Sequence, residues 1–398
     1  MCVAIDSISP ESVLGIVNSL NLDGPLASFC FGTDQTPLSG KQCWVYAVEF
    51  PNGNIWAVRI PVHTRHLPPE AITCAIEEEA TILKRLEQSG FAWSPKLVAY
   101  CSGFDNPIAF PYIISTWIRG TPLQWTEITP TCRKTRDKLL SQMGRILVQL
   151  AECSEQPGLG TDSAAYLTDI VDRKIIRVLD SGLPEISVQS CLLQRALVRM
   201  TFHGTAEPTL ISHEDLDPSK IVVDDEYNVK GVIDWGFART LPRQLAIGLP
   251  RFLGIEPSRL DESPPPDIAK FSAAFLQPSP TLRLDRQCII SHISSMVRAE
   301  GDQVNSVPYG NFVLSALSDD KIDWQRLLFE SVSSRGLHRW MADRLWLLPS
   351  MNSAAVELNS SALSVIVADE LGLFLTKIKE MDIEGHMARL CRALKSVA

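Results

Sequence analysis

Two aspartates separated by a short hairpin are the residues of this chain best placed to do chemistry together. Asp215 lies in the run ISHEDLDPSK (Ile211 to Lys220), and Asp234 ends the segment IVVDDEYNVKGVID directly after it. Two β-branched runs, Ile221 to Val223 and Val229 to Ile233, flank a polar turn, a pattern that predicts a hairpin returning Asp234 to the loop of His213 and Asp215. Carboxylates gathered in this way suit a reaction in which one orients or deprotonates a hydroxyl or amine. The other can hold a divalent cation against phosphate oxygens. Asp217 adds a third carboxylate, and like-charge repulsion would raise the pKa of at least one member unless the ammonium of Lys220 offsets it. Asp is also common in turns for its local hydrogen bonds alone, so the pattern gains force only from the elements that position it.

Those elements can be read along the chain. An opening helix is expected with Val13, Ile16, Val17 and Leu20 on one face. Two strands, WVYAVEF and NIWAVRI, come next around Pro51-Asn52-Gly53-Asn54, a composition that turns sharply because Gly and Asn accept positive φ. The spacing of Ile76, Ala80, Leu83 and Leu86 predicts a helix over Pro69 to Ser89, with Gly90 as its C-cap. Strands over Lys96 to Tyr100 and Pro111 to Trp117 complete a small antiparallel sheet. Gly120-Thr121-Pro122 ends it, and a long helix opens the next region with Leu139, Leu140, Met143, Ile146, Leu147 and Leu150 as its buried stripe.

The pattern H-x-D-x-x-x-x-(N), then I-D-W with the second aspartate 234 − 215 = 19 residues on, resembles the aminoglycoside phosphotransferase-like branch of the kinase superfold. This is the phosphotransferase enzyme family, and the resemblance is greatest to its fungal members. WAVRIP (Trp56 to Pro61) is similar to that family's third strand, EEEATILKRL (Glu77 to Leu86) to its αC-type helix, and FPYIISTWIRGTPL (Phe110 to Leu123) to its hinge. FARTLP (Phe237 to Pro242) is similar to the segment just after its metal aspartate. The resemblance covers roughly the first 250 residues and implies an α+β, protein-kinase-like fold. It places a small N-lobe with an antiparallel sheet and a helix at 1–118, and a larger, mainly helical C-lobe at 119–398.

The same resemblance assigns roles. Arg59 would present a cation to the α- and β-phosphates, where many relatives use Lys, and its planar fork can grip phosphate oxygens. Glu79 would fix that cation, although Glu77 and Glu78 lie beside it and a helix turns only one of the three toward the strand. Ser39-Gly40-Lys41 precedes Trp44, and a turn at Gly40 would lay backbone N–H groups over phosphates. Ser115 to Ile118 would supply hinge backbone to an adenine edge, with Trp117 either a wall of that pocket or plain core. Asp215 is the base candidate, His213 a structural residue packed beneath the loop, and Asp234 the metal ligand. ATP and Mg2+ are the implied cofactors.

Lys220 departs from the family pattern, which has Asn, an oxygen ligand for magnesium, at this place. An ammonium carries no acceptor and cannot ligate a metal. In one reading Lys220 neutralises phosphate charge directly, leaving a one-metal phosphotransferase built on Asp215 and Asp234. In another the nucleotide site has decayed and the pocket serves acid–base chemistry, as in a cyclase, isomerase or lyase of secondary metabolism, with Lys220 paired to Asp215 or Asp217. A nucleotide-binding protein without turnover is a third.

Composition narrows the function classes. The chain has 398 residues, 45% of them hydrophobic and 21% charged, enough to bury a large core in two or more lobes. Net charge is −9 with no block of Lys or Arg, which disfavours a nucleic-acid partner. The N-terminus lacks the positive start and unbroken apolar run of a signal peptide, and no stretch approaches 18 uncharged apolar residues, so no membrane span is expected. The ten cysteines show no metal-ligand spacing and read as reduced core fillers of a cytoplasmic protein. The partner expected is a small-molecule acceptor, met by the region after about Gly248. Candidates there are the acidic spots Asp261-Glu262 and Asp319-Asp320, the ESPPPD loop, and the aromatics Phe271, Phe275, Trp324, Trp340 and Trp346.

Overall fold

The structure is a computed structural model and describes residues 8–21, 24–31, 38–39, 43–62, 68–180, 187–202, 206–246, 248–253, 279–299 and 360–380. Gly40, the ESPPPD loop, the two acidic spots and the five aromatics named for the acceptor region lie outside the described residues. The chain divides into two compact units. Residues 1–154 with 211–239 form the first, and 155–210 with 240–398 the second. The hairpin and the long helix fall in the first unit because they pack with the N-terminal sheet and helix, and packing, not chain order, defines a compact unit.

In the first unit, α1 (Pro10–Ser19) starts at Ser9, whose hydroxyl accepts from Ser12 N, with Pro at the first helical position. It buries Val13, Ile16 and Val17. Leu20, expected on that face, is instead 45% exposed, because the helix has ended at its C-cap there. Strands β1 (Ser28–Phe29), β2 (Leu38–Ser39), β3 (Trp44–Glu49), β4 (Ile55–Ile60), β5 (Leu97–Cys101) and β6 (Tyr112–Thr116) form one antiparallel sheet in the order β1-β3-β4-β6-β5, with β2 also on β3. The β3–β4 register pairs Val45 with Arg59. The α1 face packs with Val48, Phe50, Val58, Ile60 and Ile114 in one core.

Helix α2 (Pro69–Gln88) packs on β5 and β6 and buries Ile72, Ile76, Ala80, Ile82, Leu83 and Leu86 together with Glu79. Its end is sharp. Gly90 adopts φ 78°, its N–H bonds Glu87 O, and Phe91 N–H returns to Leu86 O at 2.9 Å, a helix stop that needs the left-handed conformation glycine supplies. Gly120 is constrained more tightly: it sits at φ 139°, where a Cβ would come within 2.4 Å of Val223 O.

The hairpin comprises β10 (Ile221–Val223) and β11 (Val229–Val232), with the edge of β10 paired to β7 (Thr121–Pro122). Its turn is closed by Asp224, whose carboxylate accepts from the N–H groups of Glu226 at 3.0 Å and Asn228 at 2.8 Å. Helix α3 (Arg133–Ser154) supports the hairpin through Gln142, whose amide oxygen accepts from Val229 N–H at 2.9 Å.

The described residues of the second unit are mainly helical. A three-stranded sheet of β8 (Gln156–Asp162), β9 (Ala206–Ser212) and β12 (Arg239–Pro242) accompanies α4 (Ser163–Leu179), α5 (Val188–Thr201) and helices over Pro280–Ala299 and Ser360–Glu380. Asp162 caps α4, accepting from Ala164 and Ala165 N–H. Arg195 on α5 joins Asp172 on α4 to Glu370 on the last of these helices, and Lys377 from that helix bonds Asp172 at 2.9 Å and Asp169. Arg195, Asp172 and Glu370 are buried with their charges paired, the arrangement that makes an interior charge tolerable, while Lys377 and Asp169 lie nearer the surface. Arg195, Lys377 and Asp169 also line a cavity of about 450 Å³ together with Phe202 and Leu373.

Candidate active site

The register of β4 decides what Arg59 can reach. Val58 and Ile60 are turned into the core, so Arg59 between them faces the other side of the sheet, toward α2 and the end of the hairpin. There its guanidinium pairs with Glu79, which is only 6% exposed, and its Nη1 donates to Asp234 Oδ1 at 2.8 Å. Of the three consecutive glutamates on α2, Glu79 is the one turned to β4. Glu77 accepts from Ser102 Oγ at 2.8 Å, and Glu78 lies beside Cys74.

Asp234 stands just past β11, at φ 68° and ψ 59°, a left-handed conformation that Asp adopts at lower cost than most residues. Its second oxygen, Oδ2, accepts from Lys220 Nζ. Lys220 thus meets Asp234, where a pairing with Asp215 or Asp217 was one expectation from sequence. Burial alone would push the Asp234 carboxyl up, but Arg59 and Lys220 outweigh it and hold it below the usual carboxylate range.

The loop before the hairpin is a chain of short backbone turns. Asp215 N–H bonds His213 O at 2.7 Å, Asp217 N–H bonds Asp215 O at 2.9 Å, and Lys220 N–H bonds Asp217 O at 2.9 Å. His213 lies beneath it, 4% exposed, with Nε2 at 3.0 Å from Ile233 O and its ring edge-on to Trp235 at 4.8 Å. Trp235 in turn donates from Nε1 to Val232 O and meets Phe91. The loop and Asp234 are therefore fastened to one buried aromatic cluster.

Burial also sets the charge state of His213. It holds the imidazole below its ordinary pKa, although the Ile233 carbonyl and the charges of Asp234 and Asp215 oppose the shift. The unfolded chain then takes up a proton below about pH 6.5 that the folded chain refuses. This stability contribution is complete above that pH and lost as pH falls toward the folded value. Urea unfolding at pH 7.5 and 5.5 should show the native chain losing stability, at most about 1.4 kcal/mol per pH unit, with a smaller loss in His213→Gln. Equal losses in both would remove His213 as the cause.

The hinge residues divide. Ser115 lies within β6 and pairs with both Ala57 and Leu97, and Trp117 N–H is spent on Ile55 O at 2.9 Å. Ile118 lies past the strand, and its side chain rests on Gly231 of β11.

Sequence reasoning missed two glycines. A Cβ at Gly231 would come within 2.5 Å of Ile118 Cδ1 and 2.9 Å of Trp93 O, and a Cβ at Gly236 would press at 3.2 Å on both Arg59 Nη1 and Glu79 Oε2. Each lies within three residues of Asp234 in sequence, and that nearness was the available signal. Cys43, taken as a core filler, is within the electrostatic reach of the site. Burial pushes its thiol up; the charges of Arg59 and Lys220 oppose that and Asp234 adds to it.

The sequence profile of the phosphotransferase enzyme family matches residues 45–244, which include Arg59, Glu79, Asp215, Lys220 and Asp234. The chain belongs to this family. This phosphotransferase-family chain is 28% identical over 155 residues to the clavilactone A biosynthesis cluster protein Y of Ampulloclitocybe clavipes, covering 37% of its own length and 34% of the relative's. It thus spans about a third of the curated relative it matches. Among solved structures it is similar to an ethanolamine kinase of Plasmodium vivax, at 14% identity and TM-score 0.45 over 83% of this chain and 84% of that one. It is also similar to a macrolide 2′-phosphotransferase of Brachybacterium faecium, at 15% identity and TM-score 0.38 over 78% and 99%.

The donor set can be tested against the magnesium the family implies. A pair of ions does not fit the described donors, because the side chain that meets Asp234 Oδ2 is Lys220, whose ammonium has no lone pair to offer a metal. A single ion fits at Asp234, whose side chain is 27% exposed, provided Lys220 gives up Oδ2.

Proposed function

We propose that this family member is an ATP- and magnesium-dependent phosphotransferase acting on a hydroxyl or amine of a small molecule in the cytoplasm. The observation that carries this reading is the position of Arg59, held by Glu79 on one side and bonded to Asp234 on the other. Three distant segments thereby meet around one guanidinium, whose fork suits phosphate oxygens. The nucleotide-binding set would be Arg59, Glu79, Gly40 and the hinge of Ser115, Trp117 and Ile118.

Asp215 would orient the acceptor and take its proton as the new O–P or N–P bond forms and the bond from the γ-phosphorus to the bridging oxygen breaks, releasing ADP. Arg59 grips phosphate oxygens without reorganising, because Glu79 already fixes its plane. Lys220 adds an ammonium on the other side of Asp234, and Asp217 supports the loop's negative charge beside it. A magnesium ion held by Asp234 would offset phosphate charge. Cys30, Cys43, Cys74, Cys101, Cys132 and Cys153 are free thiols, in keeping with a reducing compartment. Among the described residues no helix is long and apolar enough to cross a membrane.

A second reading has its own observation. Arg59, Glu79, Asp234 and Lys220 balance one another in charge without a nucleotide, which suits a pocket reused for acid–base chemistry by Asp215. The relative from a biosynthesis cluster is compatible with that use.

Thermal unfolding with ATP and Mg2+ separates the two. Ligand at about 100 times its Kd contributes about 2.7 kcal/mol, a rise of several degrees in Tm. A rise, with ADP formed in the presence of an acceptor, is the expected result. No rise would overturn the phosphotransferase reading, and a rise without turnover against an acceptor panel would leave a nucleotide-binding protein.

A further inference from the structure

The partner of Asp234 Oδ2 raises a question that the phosphotransferase reading does not answer: how a metal enters a site where a lysine already sits. Asp234 Oδ1 is committed to Arg59 at 2.8 Å, and Arg59 is anchored by buried Glu79. Oδ2 carries the other cationic partner, Lys220 Nζ, so a metal ion approaching either oxygen of Asp234 meets a cation already bonded there.

This pairing is built into the backbone. Lys220 ends the 3-10 turn Pro218–Lys220, its N–H bonds Asp217 O, and its own carbonyl accepts from Ile233 N–H at 2.9 Å, one residue before Asp234. The two side chains thus start from backbones already joined, so little entropy is lost in bringing them together. Both are also partly buried, at 24% and 27% exposed, which limits screening by salt.

We propose that Lys220 is an intramolecular competitor of the divalent cation for Asp234. The ammonium and a divalent ion are both cations that seek the lone pairs of Asp234, and their mutual repulsion in this partly buried place makes each weaken the hold of the other. The displaced ammonium needs a new partner, and phosphate oxygens supply one. Metal alone must break the Lys220–Asp234 pair without replacing it. Metal arriving with a polyphosphate breaks it and gives Lys220 an anion in return. The exchange couples metal entry to nucleotide entry, and by linkage each favours the other. The inference rests on the phosphotransferase reading for the nucleotide half of this coupling, while the competition itself concerns the chain and the metal alone.

The test is Mn2+ titration of the full chain without nucleotide, with the free ion read by electron paramagnetic resonance, for the native protein and for Lys220→Met, Lys220→Gln and Lys220→Arg. Lys220→Met and Lys220→Gln should bind Mn2+ about tenfold or more tighter than native, while Lys220→Arg, which keeps a cation, should not. Two neutral variants guard against one of them failing to fold, checked by thermal unfolding. Equal affinity in native and neutral variants, or a gain in Lys220→Arg as large as in the others, would overturn the proposal. The ATP-induced rise in Tm of the native chain is measured in parallel. A gain in Mn2+ affinity with no ATP response keeps the competition and removes the phosphotransferase reading, whereas an ATP response with no gain does the reverse.

Discussion

Asp215→Asn is expected to lower turnover by about 10²- to 10⁴-fold while leaving the fold in place. The loss comes from removing the one loop carboxylate assigned to the acceptor proton. Asn has nearly the same shape, and the turns that shape the loop, Asp215 N–H to His213 O and Asp217 N–H to Asp215 O, are backbone bonds that the substitution keeps. Beneath the loop, His213 and Trp235 remain buried in contact. The effect should therefore appear in kcat with an unchanged melting temperature, measured as product formed per enzyme at saturating substrates. Near-native turnover would remove Asp215 from the acceptor-proton role. The substitution does not discriminate phosphoryl transfer from a reused acid–base pocket, since both employ this carboxylate.

Asp234→Ala discriminates them. In the phosphotransferase reading it should remove the magnesium dependence of ATP binding and lower turnover by about 10³-fold or more, because no other described carboxylate bonds both Arg59 and Lys220. Arg59 keeps Glu79 as a partner, but Lys220 loses its own. ATP should then bind equally well with Mg2+ and with a chelator, as read by isothermal titration. Alanine also pays for the left-handed backbone at this position, about 1 kcal/mol, so Asp234→Asn is the cleaner variant for stability. Undiminished turnover in Asp234→Ala, or native turnover that persists in chelator, would point to chemistry that uses no metal at this site.

Local patterns explain why much of the first unit could be read from the chain. The stretch WVYAVEF–PNG–NIWAVRI yields β3, a turn and β4 because β-branched residues and a Gly-Asn turn act over a few residues. The helix over Pro69–Gln88 comes from apolar spacing and Gly90. Other features depend on distant packing. Leu20 had the spacing of a core residue and is exposed because the helix stopped one residue early. Residues 211–239 join 1–154 in one compact unit because the turn after Asp234 packs on α2, a contact that periodicity does not carry.

At the site itself, sequence alone determined that His213, Asp215, Lys220 and Asp234 share one loop and hairpin, since turn chemistry and a β-branched alternation act within about twenty residues. It also determined that Lys220 cannot be a metal ligand, because that is a property of the ammonium group. Tertiary structure decided which anion Lys220 meets, which of three glutamates faces Arg59, and that a Cβ at Gly231 would collide with Trp93 O while one at Gly236 would press on Arg59 and Glu79. Those outcomes depend on side-chain direction and on approach between segments as far apart as Arg59 and Asp234, 175 residues along the chain. Nothing local sets such distances; they are set when the sheet, the helix and the hairpin close on one core and bury Glu79 and Trp235 between them.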